Sequence, residues 1–206
     1  MNTDLGAAAE HILAVDTAFE PVIRRTGPFE PRPPDADAFN SLARAIVFQQ
    51  LAGRAARAIH GRFAALYEGR PTAEAVLATS VENLRGVGLS LNKATSLRDL
   101  ALQASDGTVP LDQLDQLSDD EIVARLSAVR GIGRWTAEMF LMFQLRRPDV
   151  WPVDDYGVRK GFGVIHGLEA PPTPKALQPL GETYRPHRSA AAWYCWRAVE
   201  TVLPQA

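Results

Sequence analysis

The sequence predicts an all-α fold, and three observations support that prediction. Apolar side chains recur at helical spacing in several segments, as Ile122, Leu126 and Val129 do. Residues that favour helix N-caps stand where such segments begin, and Ser118 followed by Glu121 has the pattern of a capping box. No segment of convincing length alternates apolar and polar residues in the way that marks a half-buried strand.

Length and composition exclude several classes of protein. The chain has 206 residues, enough for one compact core or two small helical lobes. It shows no run of about eighteen apolar residues, which a transmembrane helix would need, and no secretory signal pattern. Its one cysteine, Cys195, excludes an internal disulfide and a four-cysteine iron–sulfur cluster. We therefore expect a reduced, cytoplasmic setting.

Helices and breaks can be placed along the chain from these patterns. Residues 26–36 contain four prolines and predict a non-helical linker. Asp37 and Thr173 stand where N-caps are expected. Helices are predicted over residues 4–19, 38–50, 52–67, 91–104, 118–129, 156–165 and 186–203. Short helices are predicted near 71–77, 81–85 and 111–117, and another is expected to begin at Pro174.

A glycine turn between two helices is the central feature of the second half. Gly131-Ile132-Gly133 ends the helix that starts at Ser118, and the next helix begins at about Arg134. Such a turn leaves backbone N–H groups unpaired at a helix N-terminus, with no side chain at the glycines to block approach. A phosphate group fits there.

Two carboxylates follow the turn at the start of the 156–165 helix. Asp154 and Asp155 both stand at N-cap positions, and N-capping alone would be the commoner explanation of such a pair. Gly157, Gly161 and Gly163 lie inside this helix, where glycine costs stability, and they indicate close helix packing or fraying.

Charge is unevenly distributed along the chain. Residues 1–121 hold 11 Lys and Arg against 17 Asp and Glu, a balance of −6, whereas residues 122–206 hold 11 against 7, a balance of +4. The positive half contains the glycine turn, as a phosphate-binding face would require.

Two motifs together carry a family resemblance: Gly131-Ile-Gly-Arg-Trp-Thr-Ala137 and Pro152-Val-Asp-Asp-Tyr156. They resemble the helix-hairpin-helix DNA glycosylase superfamily, specifically its DNA-3-methyladenine glycosylase II branch in a short form. The resemblance covers nearly the whole chain. It implies one all-α, two-lobed domain with the active-site cleft between the lobes. One lobe would contain residues from about 38 to 120 with the hairpin and the return helices, and the other would contain the N-terminal helix and the C-terminal helices.

The same resemblance implies the roles of individual residues. Asp155 would be the catalytic carboxylate and Asp154 a cap or support, although alignment on other branches of the superfamily would select Asp154 instead. Trp135 and Trp196 would line the base pocket, whereas Trp151 and Trp193 are expected in the core. Tryptophan offers the best aromatic face for the cationic base of an alkylated purine.

DNA contacts are implied at two places. Gly131, Gly133 and Arg134 of the hairpin would hold a backbone phosphate. Leu51 would enter the duplex as a wedge in the gap left by the extruded nucleotide, and Gln50 beside it would contact the opposite strand or the pocket. Without the resemblance, Leu51 would more readily be interpreted as a core residue.

The implied activity is hydrolysis of the N-glycosidic bond of alkylated purines, such as 3-methyladenine and 7-methylguanine, in duplex DNA during base excision repair. Superfamily members that also cut the strand use a lysine directly after the hairpin, where this chain has Trp135, so a monofunctional enzyme is implied. Two alternatives stay open: a glycosylase for another lesion, and a non-catalytic DNA-binding module.

The resemblance implies no organic cofactor. Relatives can hold a monovalent cation through backbone carbonyls of the hairpin, which correspond here to those of Ser127, Val129 and Ile132. We expect a monomer that acts on double-stranded DNA in a bacterial nucleoid, with no membrane partner.

Overall fold

The computed structural model describes residues 6–200, and the regular secondary structure within that range is entirely helical. This confirms the predicted all-α fold. The helices are, in chain order, α1 (Gly6–Val15), α2 (Glu20–Thr26), α3 (Ala38–Phe48), α4 (Gly53–Ala65), α5 (Ala73–Ala78), α6 (Val81–Gly86), α7 (Leu91–Ser105), α8 (Asp119–Ala128), α9 (Arg134–Phe143), α10 (Tyr156–Ile165), α11 (Pro174–Leu180) and α12 (Arg188–Glu200). Across residues 6–200, no helix is both long and apolar enough to cross a membrane.

Helix starts agree with the capping signals in the sequence. The Asp37 side chain accepts a hydrogen bond from the amide of Asn40, and Thr173 caps α11 in the same way. Ser118 and Glu121 form a complete capping box at the start of α8. Each cap satisfies amides that the helix itself cannot pair, and each contributes about 1 kcal/mol.

Two predicted helices are wrong. The helix expected over residues 4–19 ends at Val15, because the Asp16 side chain accepts the Ala18 amide and starts a short 3₁₀ turn, Thr17–Phe19, followed by α2. Residues 4 and 5 of that prediction, and 201–203 of the last predicted helix, lie outside the described residues. The helix expected over residues 111–117 is only a 3₁₀ turn, Leu114–Gln116.

The chain divides into two compact units. We call Pro33–Leu145 the central unit, and residues 6–32 together with 146–200 the terminal unit. In the central unit, α7 packs against α3, α5 and α6, and α8 packs against α9. Its core includes the fully buried side chains of Leu42, Ile46, Phe63, Leu97 and Leu100. Burial of each contributes about 1.5–3 kcal/mol.

The terminal unit is built around the pair α10 and α12. A Cβ atom at Gly161 would overlap the backbone carbonyl of Cys195, so only glycine allows the two helices to approach this closely. Trp151 and Trp193 are buried, which confirms that both belong to the core. The indole of Trp151 donates a hydrogen bond to the carbonyl of Leu177, 3.1 Å away.

Hydrogen bonds among one buried and two half-buried side chains link distant parts of the terminal unit. Tyr184 Oη donates to Asp16 Oδ2 at 2.6 Å, and His166 Nε2 lies 2.9 Å from the same oxygen. Burial alone would raise the pKa of Asp16, but hydrogen bonds from Tyr184, His166 and the Ala18 amide outweigh it and leave that pKa below its ordinary value. Burial, followed by the bond to Asp16, raises the pKa of Tyr184, so the phenol stays a donor at any physiological pH.

Candidate functional site

The junction between α3 and α4 projects one apolar side chain into solvent. Gln50 has a φ of 55°, a left-handed conformation that costs a non-glycine residue about 1–2 kcal/mol. Leu51 follows it and is 37% exposed, which excludes the alternative that this leucine is a core residue. An energetically unfavourable turn that exposes a leucine needs support from its surroundings.

Two side chains from other parts of the central unit support that turn. Lys93 Nζ donates to the carbonyls of Val47 and Gln49, both at 2.7 Å, at the end of α3. Gln49 Nε2 donates to the carbonyl of Gly131 at 2.8 Å and so connects the junction to the glycine turn. The ammonium of Lys93 therefore supports the backbone at the end of α3. Burial also lowers the pKa of this lysine.

The glycine turn has the backbone geometry that the sequence predicts. Gly131 has a φ of 78°, and a Cβ there would also lie 2.5 Å from Ser96 Oγ, so no other residue fits without rearrangement. Gly133 is the N-cap of α9 and has no side chain with which to accept the first amides of that helix. The turn thus presents a helix N-terminus to solvent.

Two arginines next to this turn, Arg130 and Arg134, make different contacts. Arg134 Nε donates to Glu138 Oε1 at 2.9 Å, so a buried carboxylate offsets part of its charge. Arg130 is exposed, and its backbone amide donates to Asp99 Oδ2 at 2.7 Å. Asp99 therefore fixes the backbone of the turn from the neighbouring helix α7.

A cavity of about 480 Å³ opens between α3 and α9. Trp135, directly after the glycine turn, is 48% exposed and forms part of the wall. The remaining wall combines apolar groups with amides: Ala45, Phe48, Gln49, Gln50, Thr136 and Met139. An aromatic face together with amide donors and acceptors is suited to a planar, polar heterocycle.

A second group of residues lies in the terminal unit. Asp155 is only 8% exposed and is the N-cap of α10, where its Oδ1 accepts the amide of Val158 at 2.8 Å. Trp196 Nε1 donates to the same Oδ1 at 2.8 Å from α12. Both donors and the positive end of the helix dipole interact favourably with a negative charge on this carboxylate.

The two adjacent aspartates have different environments. Asp154 is exposed in the turn before α10, and the N-cap of that helix is Asp155. The expectation that Asp154 would be the cap is wrong. An N-cap residue has an extended backbone, which lets its side-chain oxygen accept a hydrogen bond from an amide of the first helical turn. Asp155 has that conformation, with φ −70° and ψ 118°.

Comparison with known proteins decides the family. The model of the "HhH-GPD superfamily base excision DNA repair protein" family matches residues 43–186. DNA-3-methyladenine glycosylase 1 of Schizosaccharomyces pombe is 34% identical over 95% of this chain and 88% of its own length. The chain belongs to the helix-hairpin-helix DNA glycosylase superfamily. Within it, the relatives place the chain in the 3-methyladenine glycosylase branch.

Solved structures of glycosylases share this fold. The S. pombe 3-methyladenine DNA glycosylase, in complex with abasic DNA, superposes with a TM-score of 0.83 over 93% of this chain and 96% of that chain, at 34% identity. A DNA-3-methyladenine glycosidase from Bacillus halodurans gives a TM-score of 0.88 over 97% and 92%, at 32% identity.

The predicted site residues of this glycosylase fall into two sets. Asp155 and Trp196 are in direct contact within the terminal unit. The central unit contains the other set: Gln50, Leu51, Gly131, Gly133, Arg134 and Trp135. Sequence reasoning missed Gln49, which joins the two parts of this second set. No local signal marks that role, because its partner lies 82 residues away.

Proposed function

We propose that this protein is a monofunctional glycosylase that hydrolyses the bond between deoxyribose and an alkylated purine in duplex DNA and leaves an abasic site. Relatives from S. pombe and B. halodurans bear the names DNA-3-methyladenine glycosylase and glycosidase, and the S. pombe 3-methyladenine DNA glycosylase has been solved in complex with abasic DNA. The lesions that we propose are 3-methyladenine and 7-methylguanine. The observation that carries the proposal is Asp155, a buried carboxylate at a helix N-terminus in contact with an indole.

The chemistry requires little more than that carboxylate. As the bond from C1′ to the base nitrogen breaks, its electron pair leaves with the base and the sugar becomes an oxocarbenium-like cation. Asp155 would stabilise this positive charge and orient a water molecule, which adds its oxygen to C1′ and gives its proton to the Asp155 carboxylate. An alkylated purine that carries a positive charge departs as a neutral molecule, so a second carboxylate acting as general acid is not needed. No organic cofactor enters these steps.

The central unit would hold and open the DNA. The amides at the glycine turn and the start of α9 suit a backbone phosphate, a contact that positions the duplex without reading its sequence. Leu51 would occupy the place of the extruded nucleotide, and Gln50 would contact the opposite strand or the base. Trp135 and Trp196 would each present an aromatic face to the cationic base.

Base release without strand cutting follows from the position of the lysines. A Schiff base with the sugar needs an amine near the reacting carbon. By the family resemblance, Trp135 occupies the place after the hairpin where strand-cutting members have lysine. The three lysines of this chain, Lys93, Lys160 and Lys175, all lie elsewhere in the sequence, and Lys93 Nζ donates to two backbone carbonyls. The carbonyl of Val129, one of three proposed for a monovalent cation, accepts the amide of Ile132 at 3.0 Å and can still offer its second lone pair.

The test is base release from methylated duplex DNA by the purified monomer. We expect free 3-methyladenine and 7-methylguanine in the supernatant and an intact strand that breaks only after alkaline treatment. Duplexes containing uracil or 8-oxoguanine serve as controls for other lesion classes. If the protein released only uracil or 8-oxoguanine, the proposed substrate would be wrong. If it bound DNA and released no base, it would be a DNA-binding module without glycosylase activity. Size-exclusion chromatography with light scattering checks the monomer.

Leu51→Ala is expected to slow single-turnover release about tenfold, which corresponds to about 1.4 kcal/mol of lost transition-state stabilisation. The physical reason is that an alanine cannot fill the space left by the flipped nucleotide. Because Leu51 is exposed, we expect the thermal stability of the variant to stay within experimental error. A normal release rate for this variant would exclude the wedge role.

A further inference from the structure

Residues 1–121 have a net negative charge, but they include a basic segment over residues 38–67. Between Asp37 and Glu68 there is no aspartate or glutamate, and residues 38–67 contain four arginines: Arg44, Arg54, Arg57 and Arg62. This segment contains α3, the junction with Leu51, and α4. The positive charge therefore flanks the exposed leucine on the side of α4, and no acidic residue within the segment neutralises it.

Two of these four arginines are already engaged. The guanidinium of Arg44 lies over the ring of Phe48, 4.5 Å from its centre, and Arg62 Nε donates to the carbonyl of Val87 at 2.8 Å. Arg54 and Arg57 are exposed, and neither has a side-chain hydrogen bond or ion pair with any residue in the range 6–200. Their charges are thus available, in contrast to that of Arg134 beside Glu138.

Arg54 and Arg57 lie on one face of α4. Residues three apart are neighbours on a helix surface, and this face lies opposite the buried Ala56 and Phe63. Gly61 lies on the same face, and a Cβ added there would meet no atom within 4 Å. Gly61 therefore adds no side chain to the exposed face that carries the two arginines.

At the N-terminus of α4, the first amides have no capping side chain and an arginine side chain lies close to them. Ala52 is the N-cap and provides no side-chain cap for the first amides. Arg57 extends back toward this end, since its Nη1 lies 3.2 Å from where a Cβ of Gly53 would be. A cation near the positive end of a helix dipole loses about 0.3–1 kcal/mol, and a bound anion would reverse that effect.

We propose that Arg54 and Arg57, on one exposed face of α4, form a second phosphate-binding surface, which holds the DNA backbone beside the base step that Leu51 enters. This surface is distinct from the hairpin. The proposal rests on the proposed function, because it assumes that duplex DNA is the ligand. Its role is to fix the duplex while the wedge opens the stack, since Leu51 precedes these groups by only a few residues.

Salt dependence of binding tests this surface. Each phosphate that a cation neutralises contributes about 0.9 to the slope of log K against log salt. For a duplex with a tetrahydrofuran abasic-site analogue, Arg54→Ala/Arg57→Ala is therefore expected to reduce the slope by about 1.8, and the affinity loss between 50 and 200 mM salt by about tenfold. Arg54→Lys/Arg57→Lys, which keeps both charges, is expected to restore most of the slope.

The matched control is Arg70→Ala/Arg85→Ala, which removes two exposed arginines of the central unit outside α4 and changes the net charge equally. We expect its slope to match that of the unmodified protein. If both alanine pairs gave the same slope of log K against log salt, whether reduced or unchanged, the proposal would be overturned. Circular dichroism melting confirms that each variant is folded.

Base release separates this proposal from the proposed function. If the unmodified protein releases no alkylated purine but the α4 variant still loses its salt slope, the DNA surface is supported and the proposed reaction is wrong. If release is normal and the slope is unchanged in the α4 variant, the reaction stands and the surface is wrong.

Discussion

Asp155→Asn is expected to slow release of alkylated purines by about 10³-fold, because it removes the negative charge that would stabilise the sugar cation. The substitution is structurally mild. Asparagine is as good an N-cap as aspartate, and its side-chain oxygen can still accept from the amide of Val158 and the indole of Trp196. Single-turnover release from methylated duplex DNA measures the effect, and binding to an abasic duplex is expected to stay close to normal.

Asp154→Asn is the matched control, since it removes the same charge from the adjacent, exposed residue. We expect release within about twofold of the unmodified rate, because an exposed carboxylate in water interacts weakly with a distant charge. If Asp154→Asn were the inactive variant and Asp155→Asn the active one, the reaction would stand and the assignment of the carboxylate would be wrong.

The sequence predicts features that depend on near neighbours in the chain. Ser118 and Glu121 are three residues apart, and each satisfies the backbone of the other, so their motif determines the start of α8 wherever the helix lies. The helix limits Tyr156 and Ile165 were predicted to the residue. Of the two explanations offered for the glycines within α10, close packing applies to Gly157 and Gly161, whereas Gly163 makes only ordinary contacts. Even the failure at Asp16 is local, since that side chain can cap a turn as well as face solvent from a longer helix.

Features that depend on distant partners could not be predicted in this way. Gln49 and Gln50 are chemically identical, and only the fold assigns one to the carbonyl of Gly131 and the other to a left-handed turn. The indole of Trp196 reaches Asp155 across 41 residues of sequence. The basic surface of α4 was missed for a different reason, because a charge balance summed over residues 1–121 averages it with acidic residues on both sides of it.

Gly161→Ala is expected to destabilise the terminal unit by about 3 kcal/mol, at the upper end of what overpacking usually costs. A Cβ at this position would overlap the backbone carbonyl of Cys195, which cannot rotate away as a flexible side chain could. Relief requires α12 to move away from α10. Urea denaturation followed by tryptophan fluorescence measures the loss, since Trp151, Trp193 and Trp196 all belong to this unit.

The control for Gly161→Ala lies two residues further along the same helix. A Cβ at Gly163 would meet its nearest neighbour, Pro171, at 3.5 Å, an ordinary van der Waals distance. Gly163→Ala is therefore expected to stabilise the unit by about 0.5–1 kcal/mol, the usual gain from replacing glycine inside a helix. Opposite signs for two identical substitutions would show that approach of α12, rather than helix propensity, determines the residue at 161. That approach also brings Trp196 within hydrogen-bonding distance of Asp155, so Gly161→Ala should slow base release even where the variant remains folded.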